Sequence, residues 1–476
     1  MIKKIIAFSA HNKALVIIFT AVATLGAYYC VKNISLDAIP DLSDTQVIVY
    51  SRWDRSPDIM EDQVTYPIIT SLLGAPKVKT IRGFSDFGFS YVYVIFEDGT
   101  DIYWARARVL EYLNKIQGRL PEGVKTEIGP DASSVGWVFQ YALVDKSGRH
   151  DLSELRSFQD WNLKYHLQSV PGVAEVASIG GFQKQYQVNL NPNAMAAYNI
   201  PLEKVLEAVK DGNNESGGRL IEFSGAEYMI RGKGYAKSVK DIEDIVVARD
   251  MNGTPVLIKS IARVETGPEI RRGIADLDGE GDTVGGIVII RHQENALNVI
   301  ERVKEKLEQI KPSLPEGVEV VTTYDRSGLI YSAIATLKRQ LTEEMIIVSL
   351  VILLFLWHIP SAVIPIVTIP VSVFLAFIPM YFMGISSNIM SLSGIAISIG
   401  VLVDGAIVEV ENAYKKLELW NSGGRKGDFH EVRLEALQEV GPSVFFSLLV
   451  IAVAFLPIFT LVDQEGRMFK PLAYTK

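Results

Sequence analysis

Long apolar stretches constrain this chain more than any other feature of its sequence. A helix needs about 20 apolar residues to cross the hydrocarbon core of a bilayer. Candidate stretches cover residues 14–31, 345–357 with an amphipathic lead-in, 361–383, 389–408 and 440–462. Because 48% of the 476 residues are hydrophobic and 21% are charged, the chain combines a membrane part with a polar part. We predict five spans, one at the start and four in the last third.

The polar part is a single insert between the first two spans. Residues 32–334 contain no spanning stretch and are long enough for two or three domains of about 100 to 150 residues each. Basic residues precede the first span and also populate the predicted loop 412–439: Lys3, Lys4, Lys13, Lys415, Lys416, Arg425, Lys426 and Arg433. The positive-inside rule puts both segments in the cytoplasm, so we expect the insert outside.

The first span also fits the pattern of a secretory signal peptide, with a basic start and an apolar core. Its apolar stretch is long for a signal, and Tyr29 precedes Cys30 where a lipoprotein signal needs a small residue. We therefore expect an uncleaved span. Cys30 is the only cysteine, which excludes disulfides and thiolate clusters within the chain. The net charge of −8 gives no basic footprint for nucleic acid.

The outer region contains an internal repeat. LNKIQGRLPEGVKTEIGPDAS, beginning at Leu113, and LEQIKPSLPEGVEVVTTYDRS, beginning at Leu307, share the pentapeptide LPEGV within the same helix, turn and strand pattern. A pentapeptide at the same place in two similar units indicates two copies of one fold. The first copy has the pattern strand, helix, strand, strand, helix, strand, which is typical of the split βαβ or ferredoxin-like arrangement.

The second copy is interrupted. Its first half begins at GWVFQYALVD, but the matching later half begins only at Gly286. An Asn- and Gly-rich segment within the interruption, from Gly212 to Gly218, is predicted as the tip of either a solvated hairpin or an arm that reaches a neighbouring subunit. The predicted units are a first span (1–32), a first copy (33–131), a second copy (132–179 and 272–330), an inserted domain (180–271) and four further spans (331–476).

An aspartate lies in the middle of the apolar stretch SIGVLVDGAIVEVENA, residues 398–413. A charge at the bilayer centre costs roughly 2.5 to 3.5 kcal/mol on insertion scales, so Asp404 is a candidate functional residue. Glu411 lies seven positions later, on the same helix face and about 10 Å away. Beside them runs a seam of small residues that favours close helix packing: Ser391, Gly394, Ser398 and Gly405. We predict that this packing places the acid stripe inside a bundle.

Each acid has an alternative interpretation. Desolvation disfavours the charged carboxylate unless a cation approaches, so Asp404 with alternating partners would load and release a proton. The alternative is a carboxyl that only hydrogen-bonds a neighbouring helix. Glu411 is a second relay candidate or an ion pair with Lys415 at i+4. Glu409 lies about 140° around the helix from Asp404, and we expect it at the level of the lipid headgroups.

Extended motifs resemble the resistance-nodulation-division (RND) transporters of Gram-negative inner membranes, in particular their CusA- and CzcA-like heavy-metal efflux branch. The likeness covers the whole chain and is carried by IPDLSDTQVIVYSRW, IMSLSGIAISIGVLVDGAIVEVENAYKKLE and EGRMFKPLAYTK. It implies an α+β membrane protein with a transmembrane helix bundle, two periplasmic ferredoxin-like porter subdomains and an inserted docking subdomain.

The resemblance also implies a function. Family members are multi-pass secondary transporters, not enzymes; they use proton entry to drive export and need no cofactor beyond the transported ion. They form homotrimers that bind a periplasmic membrane-fusion adaptor and an outer-membrane channel. They continue into a sixth span and a second, similar half, so the resemblance implies that this chain is an N-terminal half.

The metal class stays open. The drug-exporting branch has a second aspartate where this chain has Gly405, which favours the metal branch. Copper and silver pumps of the family have methionines at three positions of the fourth span, occupied here by Met390, Leu402 and Glu409. Zinc, cobalt and cadmium pumps have an aspartate at the position of Ser398. Because thioether sulfur selects Cu(I) and Ag(I), Met390 slightly favours the soft metals, although it also suits a core filler.

Other metal-ligand candidates show no ligand spacing and are predicted to be ordinary surface or core residues: Met60, Met195, Met229, Met251, His150, His166 and His292. Three other functions are compatible with large outer domains and a charged span: an exporter of organic or amphiphilic compounds, a protein-secretion auxiliary factor, and a lipid-sensing receptor. The phosphate loop G-x-x-x-x-G-K-[ST] of an ATP-driven pump is absent from the sequence.

Overall fold

The structure is a computed structural model that describes residues 1–249, 253–271, 273–356, 359–425 and 427–476. It begins with a short helix α1 (Ile2–His11) and a long helix α2 (Lys13–Asn33), separated at Asn12. Most side chains of α2 are exposed within this chain, with only Ala27 and Cys30 buried, as suits a helix whose apolar surface faces lipid.

The first copy of the repeat folds into a four-stranded antiparallel sheet with helices on one face. Its elements are β1 (Gln46–Arg52), α3 (Pro57–Met60), α4 (Tyr66–Leu72), β2 (Val78–Asp86), β3 (Phe89–Phe96), α5 (Ile102–Ile116) and β4 (Lys125–Ile128). A π-helical turn, Glu61–Thr65, joins α3 to α4. The strand order is β2-β3-β1-β4. Alternate residues of β1 and one face of α5 are buried, as binary patterning requires.

The second copy begins in the same way. Strand β5 (Trp137–Asp145) is followed by α6 (Leu152–Phe158), α7 (Lys164–Gln168) and β6 (Val173–Gly180). Asp151 caps α6 by accepting hydrogen bonds from the backbone N–H groups of Ser153 and Glu154. A π-helical turn, Gln159–Leu163, again joins the two helices, so the repeat extends to a local irregularity that the sequence pattern does not reveal.

The insertion in the second copy is a small mixed domain with its own core. Its elements are β7 (Lys184–Leu190), α8 (Pro192–Ala197), α9 (Leu202–Gly212), β8 (Ser216–Phe223), β9 (Ala226–Gly232), α10 (Val239–Glu243), β10 (Val246–Arg249), β11 (Pro255–Leu257), α11 (Ile258–Ile261) and β12 (Ala262–Pro268). Strand β7 pairs with β12, β10 with β11, and β8 with β9. Ile258 and Ile261 are fully buried in this core.

The prediction for the Gly-rich segment 212–218 was wrong in one respect. This segment forms the base of the β8–β9 hairpin, where α9 ends and β8 begins, and the tip lies at Ser224 and Gly225. Both tip residues have positive φ angles, 57° and 77°, because two-residue hairpin turns need that conformation. Every residue of both strands is exposed.

The second copy is completed by β13 (Val284–Ile290), α12 (Ala296–Ile310) and β14 (Val318–Asp325). The strand order β14-β5-β13-β6, read from β6, is the order of the first sheet with equivalent strands in equivalent places. The fully buried β13 lies inside the sheet. The two LPEGV segments lead directly into β4 and β14, the last strands of the two copies. The predicted pair of ferredoxin-like units is confirmed.

The rest of the chain is helical. It comprises α13 (Ser327–Leu356), α14 (Ile359–Phe382), α15 (Ile389–Ser422), α16 (Phe429–Ala454), a 3-10 turn Leu456–Thr460, and α17 (Asp463–Thr475). Among the described residues, four helices are long and apolar enough to cross a membrane: Lys13–Asn33, Val363–Phe382, Ile389–Ser422 and Phe429–Thr460. The predicted span 345–357 forms the last part of α13, and Trp357 lies outside the described residues.

The predicted cytoplasmic loop 412–439 is largely helical. Helix α15 continues to Ser422 and α16 begins at Phe429, so only a short connection remains. An ion pair between Lys416 Nζ and Glu439 Oε2 at 3.0 Å joins the two extensions, and good helix formers fill both. Lys426 of the predicted positive cluster lies outside the described residues.

Candidate functional site

Asp404 lies near the middle of α15, and side-chain hydrogen bonds cap the N-terminus of this helix. Asn388 caps the helix by accepting hydrogen bonds from the backbone N–H groups of Met390 and Ser391, and Ser391 Oγ accepts one from the Asn388 N–H in return. This reciprocal capping box satisfies backbone donors that a helix otherwise leaves free. Both Asn388 and Ser391 are buried.

The face of α15 that carries Asp404 is not covered by the described helices. Asp404 is exposed, and Ile397 and Val408 on the same stripe have exposed fractions of 48% and 42%. Within the described residues, Asp404 makes no hydrogen bond or ion pair. The sequence predicted that the acid stripe lies buried inside a bundle. The described residues of this chain alone do not bury it.

The seam of small residues beside this stripe does pack closely. A methyl group at Gly394 would overlap Thr475 Oγ1 and approach the carbonyl oxygen of Leu472 to 2.6 Å, and one at Gly405 would lie 3.2 Å from Val444 Cγ1. The seam thus faces α16 and α17, whereas Asp404 points to the open side. The predicted close packing of the seam is therefore formed, but within the described residues it does not enclose the neighbouring acid stripe.

The two glutamates lie in different surroundings. Glu411 Oε1 forms an ion pair with Lys415 Nζ at 2.6 Å, the pairing considered as the alternative to a relay. Glu409 is half-buried and faces α16, where a Cβ on Gly441 would lie 3.8 Å from Glu409 Oε1 and closer still to Ile6 of α1. Glu409 makes no hydrogen bond or ion pair within the described part of the chain.

The candidate metal ligands that the structure describes do not come together in one site. Among the described residues, no group of three His, Cys, Asp or Glu side chains is placed to hold a metal ion. Met390 is partly buried at the start of α15. Met60 is fully buried in the core of the first unit, Met195 packs against the core of the insertion, and Met229 is 76% exposed on the hairpin. Met251 lies outside the described residues.

The histidines are likewise separate. His150 Nδ1 lies 3.2 Å from Glu154 Oε2, and His292 Nδ1 lies 3.7 Å from Asp41 Oδ2. His166 is exposed near the end of α7.

A buried junction joins the second ferredoxin-like unit to the ends of α2, α13 and α15 that lie nearest to the ferredoxin-like units, here called their outer ends. Arg326, at the start of α13, is 6% exposed; its Nη1 lies 3.3 Å from Asp37 Oδ1 and its Nη2 donates to the Trp137 carbonyl at 2.7 Å. Burial raises the pKa of Asp37, although the Arg326 guanidinium acts in the opposite direction. Sequence analysis missed this pair, which lies just outside the apolar stretches.

Backbone bonds complete the junction. The segment after α2 pairs with the residues before α15: the Asp37 N–H donates to the Ser387 carbonyl and the Ile389 N–H to the Ala38 carbonyl, both at 3.1 Å. The same segment accepts a hydrogen bond from the Ala296 N–H at 3.0 Å through Leu36. The helix that carries Asp404 is therefore fastened at its outer end to the second unit.

A separate contact joins α17 to the first ferredoxin-like unit. Arg467 Nη2 donates to Asp44 Oδ1 at 2.8 Å and to Asp98 Oδ1 at 2.5 Å, and Nη1 donates to the Leu42 carbonyl at 2.9 Å. The motif EGRMFKP contributed to the family resemblance, but its arginine was not singled out as a contact residue.

Two ferredoxin-like units beside a bundle of long apolar helices define a class of membrane protein, and comparisons identify the family. A model of the AcrB/AcrD/AcrF family matches residues 5–476. The chain belongs to this family. It is 53% identical to SilA of Salmonella typhimurium and 52% identical to the cation efflux system protein CusA of Escherichia coli K12, in both cases over 100% of this chain and 46% of the relative.

More distant relatives and solved structures are also described as metal resistance or heavy metal efflux proteins. The cobalt-zinc-cadmium resistance protein CzcA of Cupriavidus metallidurans is 36% identical over 100% of this chain and 45% of its own length. A crystal structure of a heavy metal efflux pump superimposes with a TM-score of 0.85 at 33% identity, covering 99% of this chain and 46% of that one. The chain thus spans about half the length of the relatives it matches.

Proposed function

We propose that this chain is the N-terminal half of an inner-membrane pump that exports heavy-metal cations and is driven by proton entry. The observation that carries the proposal is Asp404, an acid within an apolar span of a chain that belongs to the AcrB/AcrD/AcrF family. The relatives named above include cation efflux and metal resistance proteins. In this proposal the protein is a secondary transporter, and the metal ion is its cargo.

Asp404 is the proposed proton carrier. A carboxyl removed from water holds its proton until a cation or polar donor stabilises the charged form. One proton that crosses the membrane field yields about 2.3 kcal/mol per 100 mV, which suffices to bias a conformational equilibrium. Because no described side chain of this chain reaches Asp404, its partner would lie on a helix of the remaining half that the relatives possess. Residues 1–476 alone would then not transport.

Glu411 and Glu409 are secondary candidates in this scheme. Glu411 is held by Lys415, and exchange of this partner for water costs little at an exposed position. Glu409 lies between α15 and α16 and has no partner within the described residues, so a proton or cation that arrives from the cytoplasmic ends of these helices would meet it. We propose a supporting role for both, with a smaller effect on transport than that of Asp404.

The two ferredoxin-like units are the proposed porter subdomains, residues 33–131 and 132–179 with 272–330, and the insertion 180–271 is the proposed docking subdomain. The proposed assembly is a homotrimer that contacts a periplasmic adaptor and an outer-membrane channel. The β8–β9 hairpin supports this assembly. A two-stranded hairpin is marginally stable alone, and this one exposes Phe223, Tyr228 and Met229 by 71%, 56% and 76%, so a neighbouring subunit would stabilise it.

Cu(I) and Ag(I) are the favoured cargo, and Zn(II), Co(II), Cd(II) and Ni(II) are the alternative. The preference rests on the thioether of Met390, a soft ligand, and on the higher identity to CusA than to CzcA. The test is uptake of each ion into inverted vesicles that contain the full-length protein, under an imposed pH gradient. Uptake of no metal ion, with the protein folded and trimeric, would contradict the proposed function.

Met390→Leu separates ligation from packing, because leucine keeps the volume and apolar character. If Met390 is a ligand, the variant loses Cu(I) and Ag(I) transport and keeps its thermal stability. The matched control is Met195→Leu, a partly buried methionine in the inserted domain, which should transport like wild type. An unchanged ion profile for Met390→Leu would assign Met390 to packing.

A further inference from the structure

Arg467 connects helix α17 to two separate segments of the first ferredoxin-like unit. Asp44 and Leu42 belong to the segment that leads into β1, and Asp98 to the loop between β3 and α5. The Arg467 side chain is 19% exposed, and its partners Asp44 and Asp98 are 40% and 50% exposed, so the guanidinium is largely covered while the carboxylates stay partly solvated. A planar guanidinium that donates to several oxygens fixes orientation as well as distance.

A second ion pair supports this attachment at the edge of the same sheet. Lys79 Nζ of β2 lies 2.6 Å from Asp463 Oδ1 at the start of α17. This pair is exposed on both sides, 45% and 55%, and such pairs contribute little to stability. The half-buried Arg467 group is therefore the stronger of the two attachments.

The other end of α17 packs against the helix of Asp404. Thr475 and Leu472 lie so close to Gly394 that no side chain fits between them. Gly394 and Asp404 are ten residues apart on α15, or about 15 Å along the helix axis. Because close-packed interiors have low compressibility and transmit strain, a shift of α15 toward α17 would displace α17.

We propose that Arg467 is a positioning residue that transmits the movement of α15 to the first ferredoxin-like unit. The route runs from the protonation of Asp404 through the Gly394 contact to α17, and from Arg467 to Asp44 and Asp98. This inference rests on the proposed proton role of Asp404. It adds a specific link between the proton site and a porter subdomain.

The test is hydrogen exchange in the full-length protein, because this readout does not depend on metal transport. Asp404→Asn mimics the protonated carboxyl. We expect it to change the exchange rate of the segments around Asp44 and Asp98 by about fivefold or more, the lower end of typical coupling between sites. In an Arg467→Gln background, the same change at Asp404 should leave these segments unaltered, while Arg467→Lys, which keeps the charge, should restore part of the response.

The matched control is Arg156→Gln. Arg156 is 25% exposed and binds Asp160 and the Gly180 carbonyl within one unit, so its loss should not change the response to Asp404→Asn. Asp98→Asn offers a milder way to weaken the link if Arg467→Gln does not fold. An undiminished response in both Arg467→Gln and Asp98→Asn would overturn the inference, as would the absence of any response in the wild-type background.

The outcomes separate this inference from the proposed function. An exchange response that depends on Arg467, in a protein that moves no metal ion, would support the link and contradict the metal-export proposal. Metal transport that is lost in Asp404→Asn and normal in Arg467→Gln would support export and contradict the link.

Discussion

The two ferredoxin-like units share one topology but are joined to the membrane helices in different ways. The second unit is attached through a junction of backbone hydrogen bonds and the buried Arg326. The first unit is attached to α17 through side-chain ion pairs, of which Lys79 with Asp463 is exposed. The strand orders are identical, so the difference comes from the residues at the edges of the units and not from the fold.

This difference indicates different mechanical roles. Buried backbone bonds are costly to break, because the freed groups find no water, so the second unit should move with the outer ends of α13 and α15. The first unit is held through side chains, by Arg467 and Lys79 to α17 and by Arg52 to Glu269 beside the inserted domain. We therefore expect the first unit to tilt more readily than the second, with Arg467 as the group that keeps it in place against α17.

The largest expected effect on stability is at the buried junction. Arg326→Met leaves Asp37 buried without its cation, which costs about 3 to 5 kcal/mol when one partner of a buried pair is removed. The melting temperature of the full-length protein in detergent should fall markedly. Asp37→Asn in the same chain should recover most of the loss, since asparagine is neutral and still accepts the Ala38 N–H bond that Asp37 accepts. If Arg326→Met alone melted at the wild-type temperature, the stabilising role of Arg326 at the junction would be refuted.

A smaller effect is expected where α17 packs against α15. Gly394→Ala places a methyl group against Leu472 and Thr475, and overpacking of this kind costs about 1 to 3 kcal/mol. Gly400→Ala is the control on the same helix, because nothing lies within 4 Å of its Cβ position. Thermal melting should separate the two variants; equal melting temperatures would show that α17 yields easily and would weaken the route through Gly394.

The smallest effects compare equivalent caps in the two units. Asp101 accepts the Trp104 N–H at 2.7 Å, and Asn295 accepts the Asn298 N–H at 3.0 Å. Replacement of such a cap by alanine costs about 1 kcal/mol. Asn295→Ala should cost more than Asp101→Ala, because Asn295 Nδ2 also donates to the Ile34 carbonyl of the junction.

Asn295→Asp tests this difference between the caps. It keeps the cap and loses only the donor, so its melting temperature should lie between those of wild type and Asn295→Ala. If Asn295→Ala and Asp101→Ala lowered the melting temperature equally, the bond to Ile34 would contribute nothing measurable.

The fold was predictable because its signals are local. The pentapeptide LPEGV marks the last strand of each unit, and the late start of the matching half at Gly286 reveals the insertion. Periodicity also identified Asp404 as an acid in an apolar span. The π-helical turns Glu61–Thr65 and Gln159–Leu163 were not predicted, because a single π-helical turn is too short to leave a periodic signal of its own.

The attachments between the units and the membrane helices were not predictable, because they join residues far apart in sequence. Arg326 meets Asp37 across 289 positions, and Arg467 meets Asp98 across 369. A single sequence carries no signal for such pairs. The neighbours of α15 were not predictable for a related reason: the small residues of the seam predict close packing but not which helices supply it, nor whether the adjacent acid stripe is covered.

The central claim is that Asp404 couples proton entry to metal export, and one variant tests it most directly. Asp404→Asn preserves size and hydrogen bonding but cannot release a proton. In vesicles that contain the full-length protein, the account predicts that Asp404→Asn remains a folded trimer and binds metal, yet performs no uphill transport under a pH gradient, while Glu411→Gln retains most of it. Transport at the wild-type rate by Asp404→Asn would contradict the account.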